Sequence, residues 1–430
     1  MKDTKRILAS AYACNPEPGG NIALFPGEAI GGWNLVRQIG RFGQVWVITH
    51  PRNREEIERA QARGEIPNVN FHYVALRRWA NLLEKAEFGI RIYYYFWQIK
   101  ALAAARKLHK EHAFDLAHHV TFNNDWMPSF IGAFLRVPFI WGPVGGGQRT
   151  PTAFRKSYSF GGSLAELSRE AAQWIGRHLL ISRRRCLKKA RAVLVCNYET
   201  KAGIPERFQR KVHLFPVNGI SREDLERVPA RDLAHDGFRV LTAGRFIRLK
   251  AFDLGLRAFQ RLALDHPDAV FELVGKGPEE EGLRDLVREL GIGDRVRFVP
   301  WLSKEPLMAK MAEADLFLFP SLRDGGGAVV VEAMAAGTPV ICLDSGGPGF
   351  HVRPEYGIKV AAGDPDSAVR DMAAALEKLY ADKDLRADMG RAAKARVLEF
   401  YVWERLGDRL GELYSEVLGP DARRLLEKEN

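Results

Sequence analysis

Short apolar runs alternate with amphipathic stretches along the chain, and the second half repeats this alternation more regularly than the first. Runs of roughly four to eight apolar residues, separated by segments of helical periodicity, are typical of parallel strands covered on both faces. The pattern therefore predicts an α/β protein with doubly wound, Rossmann-like parallel sheets. The predicted strands comprise residues 7–12, 44–49, 69–76, 114–119, 137–141, 192–196, 239–243, 270–274, 296–299, 316–320 and 340–343, and the clearest predicted helices residues 29–41, 252–264, 279–290, 304–313, 328–336 and 403–418.

The length of the chain implies more than one domain. Its 430 residues exceed the roughly 250–300 that a single hydrophobic core fills. The charged stretch 222–237 shows neither the apolar runs of strands nor helical periodicity, and it separates the two series of strands. We therefore predict one Rossmann-like domain over residues 1–218, a second over residues 219–400, and a helix within residues 401–430 that packs back towards the first domain. Ligands should bind in the cleft, beyond the carboxyl ends of the strands.

Composition narrows the classes of partner. The formal net charge of +11 suits a phosphorylated substrate or an anionic lipid surface, unless the basic residues simply face solvent. The charge is not gathered in one dense tail, so no nucleic-acid partner is expected. No apolar stretch approaches the roughly 20 residues that span a bilayer, the first run is too short for a signal peptide, and the four cysteines are scattered. A cytoplasmic location is expected, with no metal and no cofactor.

The first candidate site is a basic loop after the strand 239–243. Gly244 allows a sharp turn, and Arg245 and Lys250 follow within the same loop. A guanidinium and an ammonium at the carboxyl end of a strand could together neutralise a diphosphate. The alternative is that both side chains merely face solvent.

The second candidate site follows the strand 316–320. Three glycines, residues 325–327, precede a helix that starts near Ala328, and bare amides at a helix N-terminus bind phosphate. Asp324 and Glu332 flank this turn, and their carboxylates could accept hydrogen bonds from sugar or ribose hydroxyls. The alternative is a glycine-rich connection and a buried acid that has a partner within the protein.

As a set, these motifs resemble those of retaining glycosyltransferases of family 4, which have the GT-B fold. The shared elements are the Gly-Arg-x4-Lys loop, the acid-x7-Glu element with its trailing Gly-x-Pro-Val, and three further motifs that begin at Val274, Val296 and Ala314. The resemblance is specific over residues 239–345 and looser over the whole chain. It implies that the second domain binds a nucleotide-diphosphate sugar and that the first faces the acceptor.

The resemblance also implies roles for individual residues. Arg245 and Lys250 would bind the donor diphosphate and Glu332 the ribose. Asp324 would hold the hydroxyls of the donor sugar, close to the amides of Gly326 and Gly327. The family usually has Glu where this chain has Asp324, so the identity of the sugar stays open. Trp301 stands where such enzymes commonly place the nucleobase, and it could stack on the base or belong to the core.

Three further elements lie in the first half. Gly31 and Gly32, at the start of the helix 29–41, resemble the family's N-terminal glycine loop, and the longer loop 14–27 before them is expected to face the acceptor unless it is simply flexible. His118 and His119 end a strand, where the family has a donor-contacting histidine nearby; adjacent strand residues point to opposite faces, so one of them should face the cleft. The loop 141–148 resembles a loop of one subgroup, and we assign it no role.

The predicted function is the transfer of a sugar from a UDP- or GDP-sugar to a hydroxyl of a glycan, lipid-linked or small-molecule acceptor, with retention at the anomeric carbon. A sugar-nucleotide epimerase, a phosphorylase and a non-catalytic nucleotide-sugar-binding protein remain alternatives. The aromatic segment 90–100, predicted to begin a helix, and a second, basic helix predicted over residues 175–191 suggest peripheral contact with the inner leaflet. The alternative is that the aromatic helix packs on the sheet.

Overall fold

A computed structural model describes residues 4–17, 26–77, 87–157, 160–231 and 235–419. Within these ranges the first domain contains one parallel sheet in the order β3-β2-β1-β4-β5-β6-β7. Its strands are β1 (Arg6–Ala11), β2 (Gln44–Thr49), β3 (Val69–Tyr73), β4 (Leu116–Thr121), β5 (Phe139–Val144), β6 (Ala190–Val195) and β7 (Val212–Leu214).

The second domain contains a parallel sheet in the order β10-β9-β8-β11-β12-β13. Its strands are β8 (Phe238–Ala243), β9 (Ala269–Val274), β10 (Val296–Val299), β11 (Leu316–Phe319), β12 (Val340–Leu343) and β13 (Gly357–Val360). The predicted fold class, two Rossmann-like parallel sheets, is confirmed.

Helices connect the strands and cover the sheets. In the first domain they are α1 (Pro26–Ile39), α2 (Arg54–Ala62), α3 (Glu87–His112), α4 (Phe130–Phe134), α5 (Phe160–His178), α6 (Ile181–Lys189) and α7 (Tyr198–Ala202). The remaining helices are α8 (Arg222–Arg227), α9 (Phe252–Asp265), α10 (Glu280–Glu289), α11 (Lys304–Glu313), α12 (Ala328–Ala335), α13 (Gly346–His351), α14 (Pro365–Ala381), α15 (Lys383–Arg396) and α16 (Trp403–Leu418).

The continuous apolar runs are explained by cores on both faces of each sheet. In β1, Ile7 and Ala9 belong to a cluster on one face, whereas Leu8 belongs to a cluster on the other. Side chains alternate between the faces of a strand, so a strand that is covered on both sides has no polar phase. This is the physical origin of the pattern that predicts the sheets.

The chain crosses between the domains twice. After the second sheet is complete, α16 returns to the first domain, where Leu406, Leu410 and Tyr414 join the same cluster as Ile7. A parallel bridge between Ile220 and Val402 ties the two crossing segments together. The domain boundaries at residues 218 and 400 stay predictions.

Several local expectations were wrong. The short strands β7 and β13 were not predicted, because each spans only three or four residues and half-exposed polar positions interrupt the apolar run. The basic segment 175–191 is not one helix, because α5 ends at His178 and α6 begins at Ile181. In the loop 14–27, residues 18–25 lie outside the described residues, as do residues 420–430 of the C-terminal segment.

Candidate active site

The basic loop and the glycine-rich loop meet in the structure. The strands β8 and β11 pair in parallel, so the loops that follow them lie side by side. Lys250 Nζ lies 2.5 Å from Asp324 Oδ2 and 4.7 Å from the centre of the Phe319 ring. About four-fifths of each charged side chain is buried, with 17% of Lys250 and 20% of Asp324 exposed. A cation and a carboxylate therefore come together at the edge where ligands of such sheets bind.

Asp324 also caps its own loop. Its Oδ1 accepts hydrogen bonds from the amide nitrogens of Gly326 at 3.1 Å and Gly327 at 2.8 Å. Burial raises the pKa of the Asp324 carboxyl, but Lys250 and these two amides outweigh burial and hold the pKa below its usual value. The carboxylate is therefore ionised at neutral pH. The two amides predicted to lie near a donor are occupied by Asp324 in this structure.

The glycines of this loop are required by the backbone. Gly327 has a φ of +61° and immediately precedes Ala328, the first residue of α12. A Cβ atom on Gly326 would lie 2.5 Å from Asn218 Nδ2 and 2.8 Å from Val217 Cγ2. Only glycine leaves room for this approach between the loop and the interdomain segment.

Arg245 differs from Lys250 in having no side-chain partner among the described residues. Its side chain is exposed and makes no hydrogen bond or ion pair within the described ranges. Gly244, with a φ of +152°, turns the chain, and its amide donates to the carbonyl of Val274 at 3.0 Å. Ala251 has a φ of +48°, a left-handed conformation that is costly for any residue with a Cβ. Arg245 is thus open to solvent beside the paired Lys250.

Two predicted donor contacts are also accessible. Trp301 follows β10 and is 55% exposed, so the interpretation as a core tryptophan is wrong. Glu332 on α12 is half-buried, and its carboxylate makes no hydrogen bond with any described residue. Burial raises the pKa of its carboxyl, nearby Lys304 lowers it, and Asp224 raises it. The expected protein partner of Glu332 is therefore not found in the described ranges, and its oxygens can accept a ligand's hydroxyl.

His118 and His119 do point to opposite faces of β4, but both are buried. His118 Nε2 lies 2.7 Å from the carbonyl oxygen of Gly142, to which it must donate, so Nδ1 accepts from the Tyr414 hydroxyl at 2.7 Å. Burial lowers the pKa of His118 to about 3 and that of His119 to about 4, so both are neutral. His119 Nε2 donates to Phe122 at 3.1 Å. The expectation that one of them faces an open cleft does not agree with this burial.

The N-terminal glycines are packed against the protein's own backbone. A Cβ atom on Gly32 would lie 2.2 Å from the carbonyl oxygen of Ala13, and one on Gly31 would lie 2.8 Å from that of Val217. Val217 also lies against Gly326, so the second turn of α1 approaches the glycine-rich loop of the second domain through this segment. The close approach alone requires glycine at both positions, whatever ligand the loop binds.

Sequence reasoning missed Glu28 as a candidate site residue. This half-buried carboxylate lies in the first turn of α1 and accepts a hydrogen bond from the Asn123 amide at 2.6 Å. Burial raises the pKa of Glu28 to about 7, although the Asn123 amide and Arg91 lower it. An acid one turn before a glycine pair after β1 was the available signal, but no sequence pattern shows that the carboxylate is desolvated.

Comparison with known proteins adds independent information. Residues 226–396 match the family model described as glycosyl transferases group 1. The D-inositol 3-phosphate glycosyltransferase of Salinispora tropica is 35% identical over 204 residues, which are 45% of this chain and 41% of that relative. The lipopolysaccharide core biosynthesis glycosyltransferase LpsE of Rhizobium meliloti is 31% identical over 178 residues, 41% of this chain and 49% of that relative. The chain thus spans less than half the length of these curated relatives.

Solved structures match over nearly the whole chain. Sucrose-phosphate synthase from Thermosynechococcus elongatus has a TM-score of 0.63 at 21% identity, over 96% of this chain and 99% of that one. The Anabaena protein HepE, solved with UDP, has a TM-score of 0.59 at 16% identity, over 96% and 100%. The chain has the GT-B fold. These structures show the fold, and the family match shows that residues 226–396 are similar to glycosyl transferases of group 1.

The loop 141–148, to which the sequence analysis assigned no role, is held in place by a buried ion network. Asp125 is fully buried and holds two arginines, with Arg177 Nη2 at 2.8 Å and Arg183 Nη2 at 3.2 Å from its carboxylate. Arg177 also donates to the carbonyl of Gly146 at 2.9 Å. The loop is therefore fixed from beneath by a buried ion network. Arg183, which sequence reasoning placed on a basic surface, belongs to this network.

The same loop lies against the second domain. Asn197 Nδ2 donates to the carbonyl of Gly325 at 3.2 Å and lies 3.4 Å from Gln148 Oε1. Gly325 immediately follows Asp324, so the first domain touches the glycine-rich loop next to its capping carboxylate.

Two more polar contacts cross between the domains of the GT-B fold. Arg323 Nη1 lies 2.6 Å from Glu166 Oε2, and the Gly346 amide donates to Glu199 Oε1 at 2.6 Å. The candidate site is therefore assembled by loops of both domains.

The described residues contain no group of three His, Cys, Asp or Glu side chains placed to hold a metal ion. The expectation that the protein works without a metal stays a prediction. No described helix is both long enough and apolar enough to cross a membrane.

Proposed function

We propose that the protein is a retaining glycosyltransferase of family 4, which transfers a sugar from a UDP- or GDP-sugar to an acceptor hydroxyl. The observation that carries this proposal is the contact of Lys250 with Asp324 beside the N-terminus of α12, with exposed Arg245 in the same loop as Lys250. Two cations and a helix N-terminus suit a diphosphate leaving group. The matched HepE structure contains UDP, which supports a nucleotide donor.

The ion pair between Lys250 and Asp324 constrains how the donor enters. Without donor, the Lys250 ammonium is neutralised by Asp324. A diphosphate brings more negative charge than one carboxylate and would draw Lys250 towards itself. Asp324 would then be available to the hydroxyls of the donor sugar while it still accepts from Gly326 and Gly327.

During transfer, the bond between the anomeric carbon and the diphosphate oxygen breaks, and a bond from the acceptor oxygen forms on the same face. The leaving diphosphate oxygen takes the proton of the acceptor hydroxyl. Arg245 and Lys250 stabilise the charge that develops on this oxygen, which is where fixed cations are most effective. Glu332 would bind the ribose, and the exposed Trp301 would stack on the base.

The acceptor side of the proposal is broader. Relatives include LpsE, which is named for lipopolysaccharide core biosynthesis, and a Corynebacterium glutamicum enzyme named as a phosphatidylinositol monomannoside mannosyltransferase, 33% identical over 173 residues. We therefore propose a glycan or lipid-linked acceptor in cell-envelope synthesis and a cytoplasmic enzyme in peripheral contact with the inner leaflet.

A thermal-shift screen of nucleotides and sugar nucleotides tests the donor site. A ligand at 100 times its dissociation constant should stabilise the protein by about 2.7 kcal/mol. Lys250→Ala should abolish the shift, whereas Arg288→Ala, an exposed position on α10 of the same domain, should keep it. If neither UDP, GDP nor any of their sugars shifts the wild type at millimolar concentration, the proposal fails.

Incubation with the donor that binds separates the enzyme classes. Without acceptor, an epimerase would produce an isomerised sugar nucleotide, and a phosphorylase would need inorganic phosphate. A transferase should consume the donor only with an acceptor or slowly with water. The anomeric coupling in the NMR spectrum of the product then decides between retention and inversion.

A further inference from the structure

Helix α5 is amphipathic in the opposite sense to an ordinary surface helix. Its buried side carries polar residues, among them Glu166 and Gln173. Its outer side carries Leu164, Leu167 and Trp174, which are 58%, 64% and 53% exposed. Surface helices of globular proteins normally bury their apolar stripe, and large exposed apolar patches mark interaction sites. The outer side of α5 is therefore a candidate interface.

The polar side of α5 must face the protein, because its side chains form hydrogen bonds and ion pairs there. Glu166 accepts from Arg169 and from Arg323 of the second domain. Gln173 Nε2 donates to the carbonyl of Gly146 at 3.2 Å, and Arg177 binds buried Asp125. Rotating the helix would leave these groups without partners inside the protein. The leucines and the tryptophan thus stay outside in the folded chain.

The apolar surface extends beyond α5. Ile175, at the end of the same helix, is also exposed, and Leu179 and Ile181 follow it with 60% and 71% of their surface exposed. On the same side of the first sheet, α3 presents Phe96 at mid-helix, between Ile92 and Ile99 at helical spacing, all exposed.

The two helices meet through Trp126. Arg91 of α3 lies over its ring, and Gly176 of α5 packs on its backbone. Tyr93, Tyr94 and Trp97 of α3 are buried, so the aromatic helix packs on the sheet and only its outer stripe is available.

The charge next to this surface selects its occupant. Arg184, Arg185, Lys188 and Lys189 on α6 are exposed, and no Asp or Glu occurs between Glu170 and Glu199 in the sequence. A second copy of the chain in a symmetric dimer would bring the same basic cluster close to itself. Apolar side chains bordered by cations match a bilayer with anionic headgroups.

We propose that α5, α6 and the outer stripe of α3 form a docking surface for an anionic phospholipid bilayer, with Leu164, Leu167 and Trp174 inserted at the headgroup boundary. The surface lies at the rim of the candidate site, because Glu166 on α5 contacts Arg323, the neighbour of Asp324. Docking would hold the opening between the domains close to the bilayer, where a lipid-linked acceptor is found. The assignment extends the proposed function by naming the surface, but its test needs no transfer activity.

Co-sedimentation with vesicles tests the apolar part. Wild-type protein should bind vesicles of phosphatidylglycerol and phosphatidylcholine, and the double variant Leu167→Ser/Trp174→Ser should bind at least tenfold more weakly. Leu264→Ser/Leu398→Ser is the matched control, because both leucines are exposed on the second domain. Quenching of tryptophan fluorescence by brominated lipid should decrease in Trp174→Phe. Equal vesicle binding by the wild type and the Leu167/Trp174 variant would overturn the proposal.

Neutralising basic residues of α6 tests the electrostatic part of the proposal. Arg184→Gln/Lys188→Gln should weaken binding to anionic vesicles by roughly fivefold per charge removed, while Arg288→Gln/Arg391→Gln on the second domain should not. Arg183 must be left intact, because it is buried with Asp125. Wild-type binding that is equal for anionic and purely zwitterionic vesicles would overturn the proposal. So would sedimentation velocity that shows a dimer which the Leu167/Trp174 variant converts to a monomer. Nucleotide-induced thermal shifts report the donor site separately, so the two proposals can fail independently.

Discussion

Lys250→Ala perturbs both the folded state and the proposed chemistry, and the structure assigns each effect a size. Removing one partner of a fully buried ion pair costs about 3–5 kcal/mol of unfolding free energy. Here both side chains retain some exposure, and Asp324 keeps its two amide donors. We therefore expect a loss of about 2 kcal/mol at pH 7, measured by denaturant unfolding.

The pH dependence gives the sign of this effect. The pKa of Asp324 in the folded protein lies below the ordinary value of 3.8. A depressed carboxyl pKa contributes stability above the unfolded pKa, and this stability is lost as the pH falls through the folded pKa. The stability difference between Lys250→Ala and the wild type should therefore shrink as the pH falls below 3.8 and through the lowered pKa of Asp324 in the folded wild type.

For activity, loss of a cation that stabilises the leaving group should cost about 2–4 kcal/mol of transition-state energy, by analogy with the loss of an oxyanion donor. This corresponds to a decrease in kcat/KM of roughly 30- to 1000-fold. The control is Lys250→Ala/Asp324→Asn, in which Asn still accepts from the loop amides but carries no charge. It should recover most of the stability and none of the activity. If Lys250→Ala keeps wild-type turnover, or if Asp324→Asn does not rescue its stability, the reasoning about this pair is refuted.

Three other positions give sharp expectations. Glu28 has a pKa of about 7 when folded and 4.5 otherwise, so its stabilising contribution is present below pH 4.5 and lost as the pH rises through 7; Glu28→Gln should exceed the wild type in stability by about 3 kcal/mol at pH 8 and match it at pH 4, measured by urea unfolding. Trp301→Ala should weaken nucleotide binding in calorimetry by about 1–3 kcal/mol, whereas Trp301→Phe should keep most of it; equal affinities would remove Trp301 from the donor site. Arg183→Met should destabilise the protein by about 3–5 kcal/mol, because it strips buried Asp125 of one cation, while exposed Arg184→Met should change stability by less than about 0.5 kcal/mol in the same assay.

The sequence predicts the sheets well because strands such as β1 are buried on both faces, so that apolar residues are not interrupted by alternating polar ones. It fails at β7 and β13, which are only three and four residues long. Half-exposed polar positions such as His213 and Lys359 interrupt the apolar run in these strands. The break between α5 and α6 was also missed, because Gly176 lies inside α5 and residues 177–191 contain no glycine or proline that would mark a helix end.

At the candidate site, the sequence predicts which loops lie close together, but it does not predict which atoms their side chains contact. The proximity of Lys250 and Asp324 follows from two loops at the same edge of a parallel sheet. The occupation of the Gly326 and Gly327 amides by Asp324 does not follow, because it depends on the loop conformation. The burial of His118 depends on Tyr414, which is 296 positions away in the sequence. The arginines of α6 look alike in the sequence, yet Arg183 is internal and Arg184 is not.

No sequence pattern predicts the contacts between the domains, and these contacts bear most directly on function. Asn197 and Gly325 are separated by 128 positions, and neither lies in a motif that names the other. Their hydrogen bond forms only when the first domain reaches the glycine-rich loop of the second, beside the carboxylate that neutralises Lys250. A donor that draws Lys250 away from Asp324 acts on the residue adjacent to this contact. Donor binding and the contact between the domains should therefore be coupled through residues 324–325, although Asn197 and Gly325 belong to different domains.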